Sequence, residues 1–229
     1  MDCVQFKIIA RIYNDYKEKF GIPRQSGIAK NMKSKIVFEK PYSDELAFRD
    51  IEQYSHLWVL WVFSENVDAK FNPTVRPPRL GGNKRVGVFA TRSPFRPNPV
   101  GLSCVKLHEV INDKNGISLV VLGADLMNGT PIIDIKPYVK YSDSKSQAIC
   151  GFSDDFADYR LKVEYDDNLL SCFDESQKAA LIETLSSDPR PAYQNEPERI
   201  YKMRFADFTV SFSVNGDRLK IVMIDKTSD

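Results

Sequence analysis

The sequence predicts a mainly β protein, a small antiparallel β-barrel followed by a small C-terminal α+β appendage. Three observations predict it. Short alternating or apolar segments recur through the first half of the chain, each ended by a glycine or proline turn. No regular alternation of strands with helical segments, the mark of a parallel sheet, accompanies them. Beyond residue 158 the pattern changes to one helical segment and one hairpin.

Taken in order, residues 4–13 alternate, with Val4, Phe6 and Ile8 on one side, and are predicted to form the first strand. Residues 17–27 contain Gly21, Pro23 and Gly27 and are a loop. A second strand covers 35–38. Ser43 is placed to cap a short helix through Leu46, Phe48 and Ile51, with Asp44 and Glu45 favoured by the positive end of its dipole. Residues 55–63 are strongly apolar and read as a strand buried on both faces. Val86, Val88 and Ala90 suggest a strand over 85–91. Segments 101–111 and 116–124 flank a turn at 112–116, and 132–135 is short and apolar. Polar residues 142–153 read as a linker. Residues 174–186 carry Ala179, Leu181, Ile182 and Leu185 at helical spacing, and Pro189 and Pro191 stop that helix. Asn215-Gly216 between 208–214 and 219–224 marks a hairpin. The predicted organisation is therefore a barrel over 1–141, a linker over 142–158 and a small α+β unit over 159–229.

At 229 residues the chain can bury a substantial core. Its 42% apolar and 28% charged residues are those of an ordinary globular protein. A net charge of +1 means that any nucleic-acid partner must be held by a local patch. Such a patch is visible. Residues 69–108 contain no Asp or Glu but hold Lys70, Arg76, Arg79, Lys84, Arg85, Arg92, Arg96 and Lys106. Arginines adjoin prolines in Arg76-Pro77-Pro78-Arg79 and Arg96-Pro97-Asn98-Pro99, around Gly81-Gly82. Proline stiffens such a loop, and clustered guanidiniums without counter-charges point to phosphate or carboxylate ligands. Residues 141–200, with 13 acidic and 6 basic residues, have the opposite bias.

Cys3, Cys104, Cys150 and Cys172 are scattered, and His56 and His108 are the only histidines, so neither a zinc site nor a disulfide framework is expected. The longest apolar run, 57–63, is too short to cross a membrane. No signal segment is recognisable, and a cytoplasmic protein is expected. No GxGxxG follows a first strand, so a Rossmann nucleotide site is not predicted.

Five segments carry a resemblance. They are Pro23-Arg24-Gln25, Ser55-His56-Leu57-Trp58, Arg76-Pro77-Pro78-Arg79-Leu80-Gly81-Gly82-Asn83, residues 87–99 with Thr91-Arg92-Ser93-Pro94-Phe95-Arg96, and Asn128-Gly129-Thr130-Pro131 running on to Asp134-Ile135-Lys136-Pro137-Tyr138. In this order they resemble the TsaA-like family, and the likeness extends to residues 188–193 near the C-terminus. The resemblance implies an S-adenosylmethionine-dependent methyltransferase on a non-Rossmann barrel, working as a homodimer without metal. It also implies the target, N6 of threonylcarbamoyladenosine beside the anticodon, at position 37 of tRNA.

The resemblance implies roles as well. Pro23, Arg24, Gln25, Ser64, Glu65, Arg92, Leu102, Asn128, Gly129, Thr130 and Pro131 are expected at the cofactor. A guanidinium at Arg92 suits the methionyl carboxylate. Arg76, Arg79, Lys84, Arg85, Arg96, Asn98 and Lys136 are expected to hold RNA phosphates or the threonyl carboxylate. Asp134, Asp125 and Tyr138 are the catalytic candidates, the carboxylates as acceptors of the N6 proton. Each has a plainer reading: a solvated surface charge, a simple turn at Asn128-Gly129, or a salt bridge between Asp134 and Lys136. His56 reads as a hydrogen-bonded structural residue. The alternative function is a barrel that binds RNA or nucleotide without chemistry.

Overall fold

In a computed structural model the described residues are 4–191, 194 and 196–227. The barrel is formed by β1 (Ala10–Tyr13), β2 (Lys33–Phe38) and β3 (His56–Val62), then, past the two-residue strands β4 (Thr74–Val75) and β5 (Val86–Gly87), by β6 (Val100–Asp113), β7 (Gly116–Leu122) and β8 (Pro131–Pro137). Its strands close in the order β1-β2-β7-β6-β3-β8, all antiparallel, β8 returning to β1 through Ala10–Ile132 and Arg11–Pro131. Closure removes both sheet edges. Alternation does what period-2 patterning requires: Ile12, Ile36, Leu57, Val59, Trp61, Val105, Leu119, Val121 and Ile132 fill the interior.

A short helix α1 (Lys140–Asp143) leaves the barrel. β9 (Lys162–Glu164), α2 (Glu175–Ser186), β10 (Tyr201–Phe205), β11 (Phe208–Asn215) and β12 (Arg218–Lys226) follow. The second sheet runs β10-β11-β12-β9, with β9 parallel to β12. Asp174 caps α2, its side chain accepting from the Gln177 N–H while Gln177 reaches back to the Asp174 N–H. The α2 face of Ala180, Leu181 and Leu185 packs with Met203, Phe205 and Phe212 in a second core. The crossing segment before β2 joins this core through Tyr16, Ala29 and Met32. The Tyr16 hydroxyl lies 2.9 Å from that of Thr184, and Asn31 is held by the Glu183 carboxylate at 2.8 and 2.9 Å.

Four sequence expectations are corrected. The first strand begins at Ala10, with backbone bonding to both neighbours reaching back one residue to Ile9, whose N–H donates to the Ile132 carbonyl and whose carbonyl accepts from the Glu39 N–H; Val4 and Phe6 are 76% and 64% exposed. The expected helix after Ser43 is two 3-10 turns, Glu45–Phe48 and Ile51–Gln53. Asp44 rather than Ser43 caps the first, and Asp50, at φ 68°, breaks the run. Over 85–91 only Val86–Gly87 is strand; a 3-10 turn, Val88–Ala90, follows and buries Val88 alone. β3 is not buried evenly on both faces, for Leu57, Val59 and Trp61 point inward while Trp58, Leu60 and Val62 are half-buried outside.

Cys104, Cys150 and Cys172 are free thiols, and Cys3 lies outside the described residues. Among the described residues no group of three or more His, Cys, Asp or Glu could hold a metal, and no helix is long and apolar enough to cross a membrane.

Candidate active site

A cavity of about 580 Å³ opens where β3 ends and β6 begins. Its size is in the range of small-molecule sites. Loop residues Pro23 and Gln25 form one side, and the 3-10 turn Ser64–Asn66 another. Trp61, Phe63, Leu102 and Met127 supply apolar walls. Thr91, Arg92 and Arg96 come from the basic loop, and Asp125 and Thr130 from the chain between β7 and β8.

Polar order runs through the wall. The Trp61 indole N–H donates to Ser103 Oγ at 3.0 Å, and that hydroxyl donates to Asp125 Oδ1 at 2.5 Å. Burial pushes the Asp125 carboxyl above the ordinary carboxylate range, although the Ser103 hydroxyl and the Arg92 charge pull against it. Arg92 donates from Nη1 to Gln25 Oε1, which ties the basic loop to the 23–25 loop. Trp61 can lie this close because residue 101 is glycine: a Cβ there would sit 2.2 Å from the ring. Gly101→Ala is therefore expected to cost about 1–3 kcal/mol by overpacking. It should also move the indole, so a lowered melting temperature and weakened ligand binding in the cavity are the readings that check it.

Of the cofactor candidates, Pro23, Arg24, Gln25, Ser64, Glu65, Arg92, Leu102 and Thr130 line this cavity. Leu102 is 49% exposed and is a wall rather than core. Glu65 forms an ion pair with Lys19 at 3.3 Å. Asn128, Gly129 and Pro131 do not line it. They join β1 instead: Asn128 Oδ1 accepts from the Asn14 N–H at 3.0 Å, the Gly129 N–H donates to the Ile12 carbonyl at 2.7 Å, and Pro131 lies opposite Arg11 between β8 and β1. Arg24 turns its Nη2 away, to the Arg190 carbonyl at 2.8 Å. Burial, and next the Arg79 charge beside it, push the Arg24 pKa down to about 10.

Among the catalytic candidates, Asp125 lines the cavity; Asp134 and Tyr138 do not. Asp134 lies in β8 opposite Leu60, paired with Lys136 at 2.8 Å on an exposed face, and Tyr138 packs by Trp58 and His56. His56 Nδ1 is 2.9 Å from Ser55 Oγ.

The substrate candidates divide. Arg76, Lys84 and Asn98 are exposed. Arg85 is pinned to Asn72 and Thr74, and Arg96 lines the cavity while donating to the Thr91 carbonyl at 2.9 Å. Arg79 points into the second unit. Sequence reasoning missed Trp61, Phe63, Met127 and Ser103. A glycine at 101 beside a tryptophan-bearing strand was the one available signal.

Residues 11–144 match the model for the tRNA-methyltransferase O N-terminal domain, and residues 158–227 that for the TrmO C-terminal domain. The chain is 39% identical to a tRNA (adenine(37)-N6)-methyltransferase of Escherichia coli K12, covering 98% of this chain and 99% of the relative. It is 39% identical to a putative S-adenosylmethionine-dependent methyltransferase of Pseudomonas aeruginosa, covering 88% and 89%. The crystal structure of TrmO from Pseudomonas aeruginosa superposes with a TM-score of 0.77 at 28% identity, over 98% of this chain and all of that one.

Proposed function

From the premise that the chain belongs to the tRNA-methyltransferase O family, we propose that it is an S-adenosylmethionine-dependent tRNA methyltransferase acting on N6 of adenosine 37. The finer reading is that the substrate adenosine carries the threonylcarbamoyl group. One observation carries the assignment to this cavity: a single apolar-walled space joins a hydrogen-bonded pair, Arg92 and Gln25, to a half-buried carboxylate, Asp125.

The cavity's residues fit the group they would hold. S-adenosylmethionine, when bound, supplies a methyl group on a cationic sulfur. Arg92, steadied by Gln25, presents a guanidinium to the amino-acid carboxylate. Trp61, Phe63, Leu102 and Met127 exclude water and take the apolar parts of the ligand. Asp125 is oriented by Ser103, which Trp61 orients in turn, and it accepts the proton that the adenine N6 must lose. Its raised pKa makes it a better base than an ordinary aspartate. Asn128, Gly129 and Pro131, which do not line the cavity, serve the cofactor in this reading only by holding the neighbouring Thr130 in place.

Exposed Arg76, Lys84, Arg85 and Asn98 are the RNA contacts of this reading. Arg76→Ala is expected to weaken tRNA binding and lower the slope of log affinity against log salt by about 0.7–0.9. An unchanged slope removes Arg76 from the phosphate contacts. The same reading includes a homodimer, supported by the exposed apolar side chains Phe71, Phe89 and Leu102, and a cytoplasmic location. Calorimetric titration with S-adenosylmethionine, followed by transfer to tRNA carrying threonylcarbamoyladenosine, tests the whole. Binding and a methylated nucleoside are expected. Binding without transfer indicates a different RNA, and tRNA binding without cofactor binding leaves an RNA-binding barrel.

A further inference from the structure

The turn that follows α2 is built around one carboxylate. Asp188 is 4% exposed and adopts φ 54°, the left-handed region. Its Oδ1 accepts from the Arg190 backbone N–H at 3.2 Å and from Arg190 Nε at 3.0 Å. Its Oδ2 accepts from Arg190 Nη2 and from the Tyr159 hydroxyl, both at 3.2 Å, and lies 4.0 Å from Arg79 Nη1. The Arg79 guanidinium also stacks 4.6 Å from the Tyr159 ring centroid. The backbone shaped in this way offers two carbonyls to the barrel. That of Ser187 accepts from Arg79, and that of Arg190 accepts from Arg24 at 2.8 Å.

Arg24 stands between Pro23 and Gln25 in the cavity rim, and Gln25 holds Arg92. A chain of contacts therefore leads from Asp188 through the Arg190 carbonyl to Arg24, and on to Gln25 and Arg92. We propose that Asp188 is a positioning residue for the cofactor: it fixes the Arg190 carbonyl that anchors Arg24, and so holds Gln25 and Arg92 in place at the cavity. The proposal rests on the cofactor reading of that cavity. Its physical basis is preorganisation, since a rim fixed before binding loses less conformational freedom on binding. A carboxylate between two guanidiniums, those of Arg190 and Arg79, is suited to the task, because its removal leaves these cations without their counter-charge and releases the turn.

The test is calorimetric titration of the full chain with S-adenosylmethionine in the absence of tRNA. The wild type is the control: if it does not bind, the cofactor reading fails and the proposal goes with it. If it binds, Asp188→Asn is expected to raise Kd about tenfold, the cost of ordering one or two side chains. At saturating cofactor its kcat should stay within about twofold. Unchanged Kd in a folded Asp188→Asn protein overturns the proposal, as does a fall in kcat without a change in Kd, which would move Asp188 into the chemistry. Arg24→Met should raise Kd by a similar factor, and the double variant should be no weaker than the worse single one. Multiplying effects would mean that Asp188 does not act through Arg24. Should circular dichroism show Asp188→Asn unfolded, Tyr159→Phe decides, since it removes one hydroxyl from a half-exposed ring. A rise in Kd of about two- to threefold supports the relay, and none overturns it.

Discussion

Asp125→Asn is expected to lower kcat by about 10²–10⁴-fold, the usual worth of a positioned general base, while leaving cofactor affinity nearly intact. The amide can still accept the Ser103 hydrogen bond, so the geometry survives and only the basicity goes. Single-turnover kinetics with modified tRNA check the first part and calorimetry the second. If the loss appears in Kd and not in kcat, Asp125 serves the cationic donor by attraction and is not the base.

The same carboxyl gives two pH dependences. As a base it must be ionised, so kcat should fall as pH drops through its raised pKa. Stability runs the other way. A carboxyl whose pKa is raised on folding contributes stability that is full below the unfolded pKa and lost as pH rises through the folded one. Above its raised pKa the wild type therefore carries a half-buried charge that the amide variant does not. Above that pKa Asp125→Asn should melt at a higher temperature than wild type, and the gap should close on acidification. An enzyme made inactive yet more stable is the signature of a site that holds a costly group for chemistry.

Arg92→Ala is expected to raise the S-adenosylmethionine Kd about ten- to a hundredfold, since charge-assisted hydrogen bonds contribute about 1.5–3 kcal/mol. Tested in parallel by fluorescence anisotropy, tRNA affinity should change far less. Equal loss of both would reassign Arg92 to the RNA face. Arg92→Lys should recover only part of the affinity, because an ammonium cannot form the paired bonds of a guanidinium. Losing the Arg92 charge also removes an attraction that lowers the Asp125 pKa, so the pH–rate profile of the variant should move upward.

Much of the barrel is legible in local pattern. The apolar segments 55–63, 101–111 and 116–124, each bounded by turn residues, are β3, β6 and β7 in the structure. Asn215-Gly216 turns its hairpin as expected, and α2 starts at its acidic cap. Such features depend on residues a few positions apart, where backbone geometry alone relates them. At the site, the sequence and the family resemblance together mark the 23–25 loop, Ser64, Glu65, Arg92, Leu102, Asp125 and Thr130, all of which meet at one cavity. The resemblance reaches 188–193, of which Ala192 and Tyr193 lie outside the described residues.

What the sequence by itself determined is the set of alternating strands, the acid-free arginine and proline stretch, and the absence of a Rossmann glycine loop. Only the tertiary structure decided which charges do what. Arg79 and Arg24 look like ligand arginines in sequence, yet their guanidiniums bind carbonyls 108 and 166 positions away. Asp134 and Asp125 look alike as bases, yet one forms an exposed ion pair on the outer barrel face and the other is half-buried in the cavity wall. The physical reason is that a side chain's charge is carried by its own residue, whereas its partners, burial and pKa are set by chain segments that meet only when the barrel closes and the second sheet docks beside it.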